Sequence, residues 1–152
     1  MVERAAVVQL VYASRMSRKC GPRELENILR VSRRNNQAMG ITGVLCYSPC
    51  GFLQCLEGPP EAVNELYRRI VRDDRNKDVT LISYGPANRR AFVRWSMACV
   101  RSDEADAALL EKRGVKGELD PYAVGPRQAL GLLADIARER AAFLEAQNGD
   151  GA

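Results

Sequence analysis

The chain has 152 residues, 46% of them hydrophobic, a formal net charge of +4 and no histidine. That length suits one domain, or one domain with a C-terminal extension, and allows a substantial core. The missing histidine excludes Ser-His-Asp and Cys-His catalytic arrangements, and no apolar window is long enough to span a bilayer. The start, Met1-Val2-Glu3-Arg4, leads into a strand-like run rather than a signal peptide. Five cysteines (Cys20, Cys46, Cys50, Cys55, Cys99) form an odd set without CxxC spacing, which points to reduced thiols in a cytoplasm and away from a zinc site.

In chain order, Ala6 to Ala13 reads as a buried strand, with Val7, Val8, Leu10 and Val11 apolar on both faces. Gly21-Pro22 punctuates, and Arg23 to Met39 has helical periodicity, ended by Gly40. Its inward stripe runs Leu25, Ile28, Leu29, Ser32, Asn36 and Met39, so it turns polar in the last turns. Ile41 to Tyr47 and Phe52 to Glu57 are strands joined by the turn Ser48-Pro49-Cys50-Gly51. Gly58-Pro59-Pro60 then starts a helix from Glu61 to about Arg72, with Val63, Leu66, Tyr67 and Ile70 facing the core.

Val79 to Tyr84 and Phe92 to Val100 complete the order β-α-β-β-α-β-β, the ferredoxin-like α+β plan with two helices on one face of a mainly antiparallel sheet. Beyond Arg101 the sequence predicts a helix over Ser102–Lys112, a Gly/Pro-rich loop over Gly114–Pro126 and an amphipathic helix over Arg127–Gln147. Its apolar stripe, Leu130, Leu133, Ala137, Ala141 and Leu144, or another subunit, would cover the sheet's second face. Arg33-Arg34, Arg68-Arg69 and Arg89-Arg90 are scattered, with few aromatics between them, and make no nucleic-acid stripe.

Gln54 lies in the apolar run Phe52-Leu53-Gln54-Cys55-Leu56. A buried primary amide must find partners or cost about 1–3 kcal/mol, so it either faces water or meets a ligand. Strand alternation puts Tyr12, Gln54, Trp95 and Met97 on sides that, if they face the helices, converge with Ser32, Asn35 and Asn36. Arg69 and Asp73, one turn apart, would border the mouth. Singly these residues have ordinary roles: a half-buried tyrosine, core filler, a fraying helix end, an exposed ion pair. Buried together, they need a common partner in an apolar cleft with a few polar groups.

Several stretches in the right order then resemble the BLUF family, blue-light sensors that use FAD. They are Leu10-Val11-Tyr12-Ala13-Ser14, Ser32-Arg33-Arg34-Asn35-Asn36, Gly40-Ile41-Thr42-Gly43-Val44-Leu45, Phe52-Leu53-Gln54, Leu56-Glu57-Gly58 and Trp95-Ser96-Met97. The resemblance spans Leu10 to Val100, and the tail resembles that of short, stand-alone members. It implies a flavin-binding domain over 1–101, a helical extension over 102–152 for capping and for oligomerisation or output, and FAD held noncovalently between the helices.

By that resemblance Tyr12 gives an electron and a proton to the excited ring, and Gln54 lies between Tyr12 and the flavin N5 and C4 carbonyl, its hydrogen bonds rearranging afterwards. Asn36 holds the C4 carbonyl and N3 edge, Asn35 the pyrimidine side, and Ser32 a nearby polar contact. Ile28 and Ile70 sandwich the ring, and Arg69 and Asp73 meet its edge or the ribityl chain. Trp95 and Met97 are the switchable residues of the fifth strand. One departure is Arg75-Asn76, where many relatives have Arg-His. The implied output is a downstream signalling protein, response-regulator-like by analogy, and a homo-oligomer, dimer or ring, with no enzymatic turnover. On the same fold, an acylphosphatase-like hydrolase and a metabolite-sensing domain are the alternatives. The first lacks its anion loop, since the first strand runs into Ser14-Arg15-Met16-Ser17.

Overall fold

The computed structural model describes residues 6–17, 22–105 and 107–150, so Met1 to Arg4, Cys20 and Gly21 lie outside the described residues. Its sheet has 5 strands, β1 (Val8–Met16), β2 (Thr42–Ser48), β3 (Gly51–Gly58), β4 (Asn76–Pro86) and β5 (Ala98–Arg101), in the order β4-β1-β3-β2-β5. β1 pairs antiparallel with β3 and β4, β2 antiparallel with β3, and β5 parallel with β2. Helices α1 (Pro22–Met39) and α2 (Pro60–Arg72) make the β-α-β-β-α-β-β order of a ferredoxin-like α+β fold.

Local chemistry places the breaks. Gly40 takes φ +72°, the left-handed conformation that lets a helix stop and the chain turn into β2. α2 begins at Pro60, whose missing N–H costs nothing in a first turn. A Cβ on Gly43 would collide with the Cys55 carbonyl oxygen and stand 3.1 Å from Met97 Cε, so only glycine lets β3 and Met97 approach β2 so closely.

The sheet separates two apolar layers. Leu10, Tyr12, Leu45, Phe52, Leu56 and Met97 pack under α1 and α2, with Leu29 and Val63 above them. On the far face Val11, Val44, Leu53, Cys55 and Val100 meet Leu132, Leu133, Ile136 and Leu144. These come from α4 (Pro126–Glu139) and α5 (Ala141–Asp150), which follow a short α3 (Ala107–Lys112). The tail therefore covers the second face within the chain itself, and the stripe through Leu133, Ala137 and Leu144 is consumed there.

Three expected elements are corrected. The span predicted as one helix from Ser102 is a 3-10 turn, Ser102–Glu104, followed by α3. The long terminal helix breaks at Arg140, where the guanidinium reaches Glu104 at 2.9 Å. The fifth strand begins at Ala98, not Phe92, because the preceding backbone finds partners outside a ladder. The carbonyls of Trp95, Ser96 and Met97 accept from Gly43 N (2.9 Å), Asn36 Nδ2 (2.8 Å) and Arg33 Nε (2.7 Å). Ala91 N and Phe92 N donate to the Glu57 carboxylate at 2.8 and 2.7 Å.

Candidate functional site

Between α1 and α2, over the central strands, lies a cleft of about 310 Å³. Its floor is Tyr12, Leu45, Phe52, Gln54 and Met97. Ile28, Ser32, Asn35 and Asn36 line it from α1, and Leu66, Arg69 and Ile70 from α2, with Asp73, Arg75 and Asn76 at its rim. The pairing of β3 with both neighbours explains the floor: Gln54 stands opposite Tyr12 on β1 and Leu45 on β2. Side chains at paired positions share a sheet face, so these three project together.

Trp95 is the one expected member that stays outside. With no regular strand before Ala98, alternation does not carry through residues 92–97, and Trp95 packs on the far face against Phe92, ring centroids 6.5 Å apart. Met97 alone reaches the cleft. Phe52 lines the cleft on the strand side it shares with Gln54, and Leu45, Asn27 and Leu66 line it beyond the residues the sequence points to. Leu45 is legible from hairpin register, and Asn27 from its spacing of two helical turns from Asn35. Tyr67, legible in the sequence only as a core-facing position of α2, has its ring centroid 5.7 Å from that of Tyr12.

The polar groups form one connected line. The hydroxyl of Tyr12, 4% exposed, donates to Gln54 Oε1, and Gln54 Nε2 donates to Met97 Sδ at 2.9 Å. Burial first, and Tyr67 second, push the Tyr12 phenol well above its ordinary pKa, so it keeps its proton. Asn36, 1% exposed, uses Nδ2 on the Ser96 carbonyl, while its Oδ1 is buried with no partner among the described residues. At the rim, Arg75 clasps Asp73 through Nε at 2.9 Å and Nη2 at 2.6 Å, and these hydrogen bonds hold the Asp73 carboxyl below its usual range. Asp73 thus pairs with Arg75 rather than Arg69, which leans on Glu65 at 3.5 Å. Asn76 Nδ2 reaches the Ile70 carbonyl at 3.4 Å, near the end of α2.

The family of sensors of blue-light using FAD matches residues 7–98. The chain belongs to the BLUF family. It is 39% identical over 83 residues to the photoactivated adenylate cyclase subunit beta of Euglena gracilis, covering 55% of this chain and 10% of that protein. The blue light- and temperature-regulated antirepressor BluF of Escherichia coli (strain K12) is 30% identical over 102 residues, or 66% of this chain and 25% of its own. The chain thus spans only about a tenth of the first curated relatives, 11% in one case. Among solved structures, the BLUF protein BlrB in its dark state superposes with TM-score 0.74 at 31% identity, covering 92% of this chain and 98% of that one. The ground state of BlsA gives TM-score 0.76 at 29% identity, covering 86% and 87%.

The BLUF cleft suits the flavin of FAD. Its volume sits at the lower end of small-molecule sites, about 300–1,000 Å³, which suits a ring system with the rest of the dinucleotide at the mouth. The orphaned Asn36 Oδ1 needs an N–H, which the flavin pyrimidine edge carries. Amides satisfy the mixed donors and acceptors of a neutral ring without a desolvated charge. Among the described residues no helix is long and apolar enough to cross a membrane.

Proposed function

We propose that the chain senses blue light through the Tyr12–Gln54–Met97 line and passes a change in that line to a partner protein. The observation that carries this reading is the unbroken succession of hydrogen bonds from Tyr12 Oη through the Gln54 amide to Met97 Sδ, inside a cleft that fits a flavin. When bound, the flavin supplies blue-light absorption and an excited ring able to take up an electron and a proton.

Tyr12 is the group placed to give both up. Its phenol is neutral, and its proton already rests in a hydrogen bond to Gln54 Oε1. A phenol that has lost an electron is a strong acid, so the proton follows toward the amide. Gln54 can then reverse or tautomerise its donor–acceptor pattern, giving two states of similar packing but different bonding. In one of them Nε2 no longer donates to Met97 Sδ. Asn36 would lie along the C4 carbonyl and N3 edge, its Oδ1 accepting from the N3–H, with Asn35 on the pyrimidine side and Ser32 as a nearby polar contact. Ile28 and Ile70 would sandwich the ring, and Arg69 and Asp73 would meet its edge or the ribityl chain.

Met97 connects this event to the output. Its neighbours Trp95 and Ser96 belong to a segment whose other face lies under α4 and α5. Trp95 therefore takes part in switching by its packing against those helices. Residues 1–101 act as the sensor and 102–152 as cap and output, in a cytoplasmic homo-oligomer, dimer or ring, that signals to a response-regulator-like protein, with no substrate turnover and no nucleic acid bound directly. That the Euglena gracilis relative is a photoactivated adenylate cyclase subunit supports a link from light to a downstream activity. Nothing favours the hydrolase or metabolite-sensor alternatives.

The deciding experiment is dark-minus-light absorption of the FAD-loaded protein, followed by sizing in both conditions. A small, dark-reversible red shift is expected; an unchanged spectrum rejects the proposal.

A further inference from the structure

Opposite the cleft, the segment between β4 and β5 and the middle of α4 enclose a recess of about 460 Å³. Arg89 and Arg90 come from the segment and Arg138 from α4, while Ala134, Ala137 and Trp95 line the space between them. The charge there is unbalanced. Arg89 makes no ion pair among the described residues, and Arg90 contacts the neutral Thr42 Oγ1 (3.1 Å) and Glu57 carbonyl (3.4 Å). Arg138 bonds Asp135, but that carboxylate is shared with Arg113 at 2.6 Å. Unlike Arg89 and Arg90, the arginines Arg68, Arg75, Arg94 and Arg101 each have a carboxylate within 3.2 Å.

A second observation concerns Trp95. It is 7% exposed and forms part of the wall, with its indole N–H buried beneath and without a hydrogen-bond partner among the described residues. The recess thus combines three guanidinia with an apolar wall of Trp95, Ala134 and Ala137. A single compact hollow with alanines at its base takes one side chain, whereas a nucleic acid needs a cationic track. We propose that this recess is the docking site for a carboxylate side chain of a downstream protein partner, and that light alters it.

The coupling follows from what holds each wall, and it rests on the reading of Gln54 and Met97 as the switch. The arginine-bearing segment ends in Trp95, Ser96 and Met97, whose carbonyls are gripped by Gly43, Asn36 and Arg33 at the cleft. Arg138 instead moves with α4, which is packed on the sheet through Leu132, Leu133 and Ile136. A displacement of Met97 therefore changes the separation of Arg89 and Arg90 from Arg138. Electrostatic complementarity of this kind selects partners and speeds encounter.

Trp95 is the single tryptophan of the chain, so one ¹⁹F resonance reports the recess. The test uses the full FAD-loaded chain labelled with 5-fluorotryptophan and titrated with a hexaglutamate peptide, in darkness and under blue light. A saturable shift is expected, absent with hexaserine, with affinities that differ severalfold between the two conditions. R89Q should weaken binding about tenfold, the loss of one charge-assisted contact, and R89E should abolish it. Arg89 is exposed and unpaired, so both variants should fold, with an unchanged flavin spectrum as the check. No shift in the wild type, or a response to acetate equal to that to the peptide, overturns the docking site. Equal affinities in dark and light, with a normal flavin red shift, overturn the coupling alone. Absence of the red shift itself refutes the photochemical reading and is read independently of peptide binding.

Discussion

Glu57→Gln tests how the segment before β5 is fastened. Glu57 is 0% exposed; its Oε2 accepts from Gln9 Nε2 (2.7 Å) and Ala91 N (2.8 Å), and its Oε1 from Phe92 N (2.7 Å) and, more weakly, Thr42 Oγ1 (3.5 Å). In the variant one oxygen becomes an NH₂ group. The Thr42 hydroxyl can rotate and the Gln9 amide can flip to offer an acceptor, but the backbone cannot adapt. Whichever way the new amide turns, either Ala91 N or Phe92 N faces a donor. One buried N–H left unmatched costs about 1–3 kcal/mol, and losing the charge on the remaining bonds adds to it, giving about 2–4 kcal/mol. For a chain of this size that lowers Tm by about 4–16 °C. Thermal unfolding measures the loss, and hydrogen exchange should show faster exchange at Ala91 or Phe92. The cleft side chains are untouched, so FAD should bind with its dark spectrum intact. A Tm within about 2 °C of wild type, with both amides still protected, would refute the fastening role.

Tyr12→Phe should retain FAD and lose the lasting red shift; a normal photocycle in difference spectroscopy removes Tyr12 as the donor. Gln54→Leu should likewise bind FAD without the shift, and a full shift in that variant eliminates the amide from the mechanism. Asn36→Ala removes the proposed ring-edge contact and the bond to the Ser96 carbonyl, so FAD retention should fall about tenfold or more, at about 1.4 kcal/mol per decade. Equal occupancy by flavin fluorescence after dialysis would contradict that contact. Asp135, held below the usual carboxylate range chiefly by its hydrogen bond to Arg113 and then by Arg138, favours the folded state above about pH 3.9. Because its folded value is depressed, that contribution disappears as pH falls through it. The Tm advantage of wild type over Asp135→Asn should therefore shrink on acidification, and a pH-independent difference would count against the pairing.

Much of the site is legible in the chain because local geometry fixes it. The helical period alone puts Ile28, Ser32 and Asn36 on one face of α1, and all three line the cleft. Strand alternation does the same for Phe52 and Gln54, and Gly40 marks the turn that delivers β2. The same helical period puts an apolar stripe on the tail, which does cover the far face. The periodic argument fails between Pro86 and Ala98, where it placed Trp95 beside Met97.

Which faces are apolar, where the chain turns, and that Gln54 interrupts a buried strand are all legible in the residue order. That Tyr12 stands opposite Gln54, and that Met97 rather than Trp95 closes the line, emerges only from strand pairing and long-range contacts. Those contacts alone also reveal Glu57 as the fastening for the segment that leads there. The physical reason is range. Periodicity records how each residue sits on its own helix or strand, whereas an irregular segment is oriented by whichever distant donors satisfy its backbone. Here those donors come from α1 and β2, and the acceptor is a carboxylate on β3.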